Sequence, residues 1–133
     1  MAFVDIIPLV RAHLVDVVDV PVVVRVPDPR PDRFVQIRRV GGLAQPPVRD
    51  QARLDVWAWA PDDEPAMALA LAVRTALWAL PGRTLDGVPV YRIAEFLGPR
   101  LDEDPATSSP RVWATYDLSI RADSAIHLAP QEG

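Results

Sequence analysis

The stretch Arg111-Val112-Trp113-Ala114-Thr115-Tyr116-Asp117-Leu118-Ser119-Ile120-Arg121 decides the fold. Val112, Ala114, Tyr116, Leu118 and Ile120 alternate with Arg111, Trp113, Thr115, Asp117, Ser119 and Arg121. Side chains of an extended strand point alternately to its two faces, so this period of two predicts a strand with one apolar face and one polar and aromatic face. The same period recurs upstream in Gln51 to Ala60. There Leu54, Val56, Ala58 and Ala60 share one face, and Arg53, Asp55, Trp57 and Trp59 share the other. The two tryptophans of the second face need a cover.

Working outward, the segment after Gln51–Ala60 changes period. Asp62 or Asp63 is placed to cap a helix, acidic residues stand near its positive end, and Pro65 falls in its first turn, where no intrahelical donor is lost. The helix is expected to run to Leu80 and stop at Pro81-Gly82. Ala66, Leu69, Val73, Ala76, Leu77 and Leu80 form its apolar stripe, with Leu69, Val73 and Leu77 expected against a sheet. Met67, Ala70, Leu71 and Trp78 widen that stripe past what one sheet covers, so this flank is expected to meet a neighbour. The plainer reading is that small alanines simply sit on solvent, as they often do in helices.

Nearer the N-terminus, Ile7, Val10, Leu14 and Val17 recur at helical spacing, predicting a first helix from Asp5 to Asp19 with Pro8 tolerated early. The β-branched run Pro21–Val26 predicts a short strand, ended by the three prolines of Pro27–Asp32. Arg33–Val40 predicts a second strand, after which Gly41-Gly42 opens an exposed loop to Asp50 that includes Pro46-Pro47. Val88–Leu97 predicts a fourth strand, and Gly98–Pro110 a connection expected to be mobile in the lone subunit. The order is α-β-β-β-α-β-β: an α+β fold with a mainly antiparallel sheet of about five strands and two helices on one face. A single domain over 1–121 is followed by a tail, 122–133, that lacks a sustained pattern.

Composition narrows the function. A chain of 133 residues fits one core, and 50% hydrophobic with 24% charged residues is the balance of a globular protein. Acidic residues outnumber basic ones by 18 to 14 and no basic block gathers, so the footprint of a duplex DNA binder is missing. Without cysteine there is no disulfide framework, thiol nucleophile or cysteine zinc site. The start, Met1-Ala2-Phe3-Val4-Asp5, does not read as a secretory signal, which points to the cytoplasm. Ala66–Leu80, the most apolar run, is shorter than the ~20 residues that span a bilayer, so no membrane role is expected.

Chemistry is hard to find. The histidines are His13, inside the first helix, and His127, in the tail, and neither has a visible partner for nucleophilic or metal chemistry. His13 reads as a helix-surface or satisfied core residue. Asp62-Asp63-Glu64 and Asp102-Glu103-Asp104 lack the alternating ligands and turn glycine of a calcium loop and read as capping or solvated carboxylates. The scattered glycines have no nucleotide-binding spacing. No catalytic residue, cofactor or metal site is expected. The candidate site is instead an interface: Arg38, Arg39, Gly41 and Gly42 at the projecting loop, and Met67, Leu71, Arg74 and Trp78 on the helix flank. The paired charges Arg38-Arg39 could touch phosphate, although such pairs on a strand are usually solvated.

Several pieces in fixed order carry a resemblance. They are Arg39-Val40-Gly41-Gly42, then Asp50-Gln51-Ala52-Arg53-Leu54 leading into Trp57-Ala58-Trp59-Ala60, an alanine-rich helix ending Leu80-Pro81-Gly82, and Gly87-Val88-Pro89-Val90-Tyr91. Gly98-Pro99, Asp104-Pro105 and Pro110-Arg111-Val112-Trp113 follow. With this pattern the chain resembles the tail terminator, or tail completion, family of siphophages, especially versions carried by phages of actinobacteria. The Pro27–Asp32 connection and the residues after Ala122 look particular to this chain.

The resemblance implies a structural virion protein without a catalytic motif, assembled in the host bacterial cytoplasm into a ring of six identical subunits at the head-proximal end of the tail. Its implied partners are further copies of itself, the major tail tube protein whose polymerisation it halts, and the head–tail connector, with genome DNA passing through the lumen without specific binding. An acidic balance suits a wall that does not stick to phosphate. Two other readings stand beside this one. A head completion or neck protein would also be small, motif-free and ring-forming, and a small-ligand module would show an enclosed pocket with convergent polar groups.

Overall fold

The computed structural model describes residues 3–45 and 48–122. Helix α1 (Ile6–Val18) leads into strand β1 (Val22–Val23), β2 (Phe34–Gln45) and β3 (Arg49–Trp59), then α2 (Asp63–Trp78), β4 (Thr84–Leu85), β5 (Val88–Leu101) and β6 (Arg111–Arg121). The strands form one curled mixed sheet in the order β1-β2-β3-β6-β5-β4, antiparallel except where β1 runs parallel to β2. The α+β class and the two helices are as expected, but there are six strands rather than five, because β4 forms an extra hairpin with β5. Asp86 and Gly87 connect that hairpin with φ of 48° and 81°. Positive φ at both central residues matches the twist of a two-residue hairpin turn.

The centre of the sheet is the strand pair expected from the alternating stretches. β6 pairs with β3 from Arg49↔Arg121 to Trp59↔Arg111, and with β5 on its other edge. Ala52, Leu54, Val56 and Ala58 of β3 and Val112, Ala114, Tyr116, Leu118 and Ile120 of β6 are buried in one core with both helices. From α2 the core takes Ala66, Leu69, Ala70, Val73, Ala76, Leu77 and, just beyond it, Leu80. Leu71 and Trp78 stay 44% and 49% exposed, while Met67 is half-buried against the core. The expected division of the helix therefore holds for Leu69, Val73 and Leu77, whereas Ala70, expected on the flank, is buried in the core, and Met67 belongs to its margin rather than to a free flank.

The N-terminal half departs from expectation in three places. In α1 the buried residues are Ile6, Val10, Leu14 and Val18, not Ile7 and Val17 at the ends. Burial runs along an i, i+4 ridge, which is inclined to the helix axis and is the row a crossing helix buries. Asp5 caps α1 by accepting from the Ile7 N–H at 3.2 Å. The strand expected over Pro21–Val26 keeps only Val22 and Val23; Val24 and Val26 are exposed, as the chain turns toward the prolines that follow.

Gly41-Gly42 do not open a loop. They sit in a bulge inside β2, between Arg39 and Gly42, and pairing with β3 resumes and runs to Gln45↔Arg49. Both have left-handed φ, 102° and 115°, and a Cβ on Gly42 would lie 1.9 Å from the Gln51 carbonyl oxygen. Only glycine permits that kink without ending the ladder. The expected loop is therefore the outer half of a long hairpin; Pro46 and Pro47 lie outside the described residues.

Likewise β5 extends to Leu101, past the expected end at Leu97, through bulges at Val90/Arg92, Glu95/Leu97 and Leu97/Arg100. The connection from Asp102 to Pro110 is held rather than free: the Ser108 N–H donates to the Asp104 carbonyl at 2.7 Å, and the Asp104 N–H donates to the Ser109 carbonyl at 3.0 Å. The expected C-terminal tail after Ala122 lies outside the described residues.

Two stability predictions come from this core. Leu69→Ala should lower the unfolding free energy by about 2–4 kcal/mol, since it removes burial and leaves a cavity, whereas Leu71→Ala should cost no more than about 0.5 kcal/mol at its exposed site; urea denaturation measures both. The Tyr116 phenol is almost fully buried, and burial pushes its pKa up from 10 to about 12. The folded state then keeps a proton that the unfolded chain loses above pH 10, so this contribution is full below pH 10 and lost on the way to pH 12. The Tyr116 hydroxyl has no hydrogen-bond partner among the described residues. Tyr116→Phe should therefore leave stability at neutral pH intact and flatten the alkaline fall in melting temperature.

Candidate assembly interface

The eight interface candidates fall in two separate places. On β2, Ile37 points into the core, so Arg38 points to the helix-free face of the sheet, opposite Asp55 of β3. Arg38 is exposed and flanks a shallow groove with Val24, Arg25, Val26 and Gln36. Arg39 has a local task. Its Nε donates to the Gly41 carbonyl at 3.1 Å, and its two terminal nitrogens bind the carboxylate of Asp50 at 2.9 and 3.0 Å. Asp50 is only 2% exposed, so this two-pronged pair ties the bulge of β2 across to the start of β3. Gly41 and Gly42 supply the bulge itself. Val40 within the bulge and Leu43 just beyond it are 44% and 70% exposed.

On α2, Arg74 and Trp78 both reach Glu95 of β5. The Arg74 guanidinium grips the carboxylate with two nitrogens, one of them at 2.9 Å, and the Trp78 indole N–H donates to it at 3.4 Å. Glu95 raises the Arg74 pKa, by hydrogen bond first and by charge second. Arg74 is therefore spoken for within the subunit, while Leu71 and much of Trp78 form an apolar surface without a cover. The structure does not bring the β2 candidates and the α2 candidates together.

A third surface was only half legible. The odd positions of β3 and β6, together with residues of β2 and β5, build a layer of stacked rings and guanidiniums on the helix-free face. Trp57 stacks on Trp113 at 5.7 Å and Phe34 on Trp59 at 5.2 Å between ring centres. Arg53 lies over Phe96 at 3.9 Å, Arg100 over Trp113 at 4.1 Å, and Arg111 against Trp59 at 5.2 Å. The cover that Trp57 and Trp59 required is thus a stacked ring on each, Trp113 and Phe34, with Arg111 near both and Arg30 over Trp59. Carboxylates fix two of these arginines: Asp117 binds Arg53 through two oxygens, at 2.9 and 3.1 Å, and raises its pKa, while Asp102 accepts from Arg111 at 2.7 Å. Beneath them Thr115 donates to the buried Asp55 at 2.6 Å. The alternation of Arg53, Trp57 and Trp59 with Arg111 and Trp113 was the available signal; which ring meets which arginine depends on strand register.

Several other polar groups have structural duties. The His13 ring Nε2 lies 3.1 Å from the Ala76 carbonyl, joining α1 to α2, and His127 lies outside the described residues. The Thr107 hydroxyl, followed by desolvation that opposes it, holds the Asp104 carboxyl below its ordinary range. Asp62 takes the extended conformation of an N-cap without a side-chain cap bond, and Asp63 and Glu64 occupy the first turn of α2. Among the described residues no group of three or more His, Asp or Glu side chains is placed to hold a metal ion, and no helix is long and apolar enough to cross a membrane.

Comparison with curated proteins finds no match to the chain. A family model described as phage tail termination protein matches residues 2–126, nearly the whole sequence and every described element. The surfaces above thus belong to a phage tail structural protein: the chain is a member of the phage tail termination protein family.

Proposed function

We propose that the protein is the tail terminator of a siphophage: copies of it close into a homohexameric ring on the last ring of tail-tube protein, stop its polymerisation, and offer their other side to the head–tail connector. The observation that carries this reading is the family match over residues 2–126. The chain's own surfaces support it. A ring subunit must bind its neighbours laterally and a tube end axially, and it needs more uncovered surface than a free monomer keeps. The Leu71–Trp78 flank of α2 and the outer hairpin with Val40 and Leu43 are two such surfaces on different sides of the core. The candidates divide by role: Leu71, Trp78 and Arg38 contact neighbours directly, Met67 supports the flank from the core margin, and Arg74, Arg39, Gly41 and Gly42 hold the contacting elements in shape. Arg53, Arg74 and Asp104, whose pKa values shift, are each held by a partner within the subunit, and Tyr116 shifts mainly through burial, which supports assembly over catalysis. Genome DNA passes the ring without specific recognition, and mature protein sits at the head-proximal end of the tail.

Particles made without the protein should give DNA-filled heads beside unjoined tails of irregular, often excessive length in electron micrographs. Unjoined tails of uniform normal length would instead place the protein in the neck and overturn the terminator reading. Leu71→Asp should leave the monomer's melting temperature nearly unchanged yet abolish ring formation, because the carboxylate is buried unpaired only when the neighbour arrives. A Leu71→Asp protein that still assembles would remove this flank from the interface.

A further inference from the structure

The chain carries a net charge of −4, but its unpaired charge is unevenly divided between the two faces. On the helix layer, Asp16 and Asp19 at the end of α1 and Asp62, Asp63 and Glu64 at the start of α2 are exposed and have no basic partner among the described residues, and they outnumber the one exposed α1 arginine, Arg11, which donates to the Val22 carbonyl. On the helix-free face of the sheet, Arg38, Arg49, Arg92 and Arg100 have no carboxylate partner among the described residues. Their places on that face follow from the register. Arg38 stands opposite Asp55, Arg92 opposite Ser119 and Arg100 opposite Trp113, all on the side away from the core. Each charged face also carries uncovered apolar surface. Glu64, Leu71 and Trp78 recur every seven residues and so lie along one line of α2, within about 20° of each other per repeat. Phe96, 56% exposed, stands among the arginines of the sheet face.

Scattered solvated charge is the ordinary condition of a surface and would need no explanation. An uneven division is different, because it decides which faces can meet. Two helix layers repel one another, and so do two sheet faces, which disfavours the two-fold contact in which a surface meets its own copy. One of each attracts. A contact between two different surfaces of the same chain is the kind that propagates from subunit to subunit and closes into a ring when the rotation allows.

We propose that the acidic helix layer of one copy, along the Glu64–Leu71–Trp78 line, docks on the arginine-bearing sheet face of the next copy. This rests on the ring-forming reading above and adds to it which surfaces touch. Duplex DNA is the rival occupant of a basic face, and the test separates the two.

The experiment uses the whole chain in four forms, the wild type and three variants, and follows ring assembly by sedimentation and electron microscopy. The sheet variant is Arg38→Glu with Arg92→Glu; the helix variant is Asp63→Arg with Glu64→Arg. Each alone places like charges at every contact and should need about tenfold or more protein to assemble than the wild type. An equimolar mixture restores opposite charges at every alternating contact and should assemble at close to the wild-type concentration. Thermal melting establishes that each variant folds, and Asp16→Arg, away from the positive end of a helix, is a second helix-layer variant expected to weaken assembly in the same direction. A mixture that assembles no better than its components overturns the contact, as do variants that assemble like the wild type. So does a sheet variant that loses duplex DNA binding while its rings persist. Wild-type protein that remains monomeric even on tube ends overturns the ring reading, and this contact with it.

Discussion

Strand β6 is hydrogen-bonded on both edges, to β3 along its whole length and to β5, and its alternation is strict. Everything else is placed by that register. Slipping β6 by one residue against its neighbours would carry Tyr116, Leu118 and Ile120 out of the core and bring Trp113, Asp117 and Arg121 into it, so the register is specified by the burial of one face. With the register set, the even positions make a floor for α1 and α2, and the odd positions line up Trp57 with Trp113 and Arg53 with Asp117. One constraint thus creates both the helix-covered core and the helix-free aromatic and arginine layer.

The outer half of the β2–β3 hairpin depends on a second, smaller constraint. A strand twelve residues long that leaves the core must bend without losing its partner. Gly42 allows the close approach to the Gln51 carbonyl, and Arg39 bridges the bulge to the buried Asp50. Breaking the pair would strand a buried carboxylate at the root of the hairpin, a costly change for a contact at the edge of the fold. A projecting arm stiffened in this way can present Leu43 at a defined position, which suits binding to a repeating partner better than a free loop does.

How much of this could be read from the sequence follows from where the signals were local. The alternation in Gln51–Ala60 and Arg111–Arg121 is visible within each strand, and so is the core stripe of α2. The Gly41-Gly42 pair was misread because a glycine pair marks positive φ equally in a turn and in a bulge, and only the resumed ladder beyond it tells them apart. The rim of α1 was misread because Ile6 and Ile7, like Val17 and Val18, are equivalent in hydrophobicity, and the crossing direction that chooses between them is tertiary. The candidate site was partly legible: Leu71 and Trp78 stood out as apolar excess, but Arg74 and Arg39 proved to be held by Glu95 and Asp50, partners 21 and 11 residues away that only the folded register supplies. The uneven division of unpaired charge between the faces has the same origin and could not be seen before the strands were aligned.

Family membership shows a phage tail structural protein, and the central claim of the proposed function is that it ends tube growth by seating on the tube's last ring. The most direct measurement is tube length when purified protein is titrated into growing tail-tube polymer, read by electron microscopy with the protein labelled. The account predicts that growth stops, with label at one end only of each tube and shorter mean length at higher protein concentration. Tubes that keep growing at the unlabelled rate, or label spread along their sides, would contradict it.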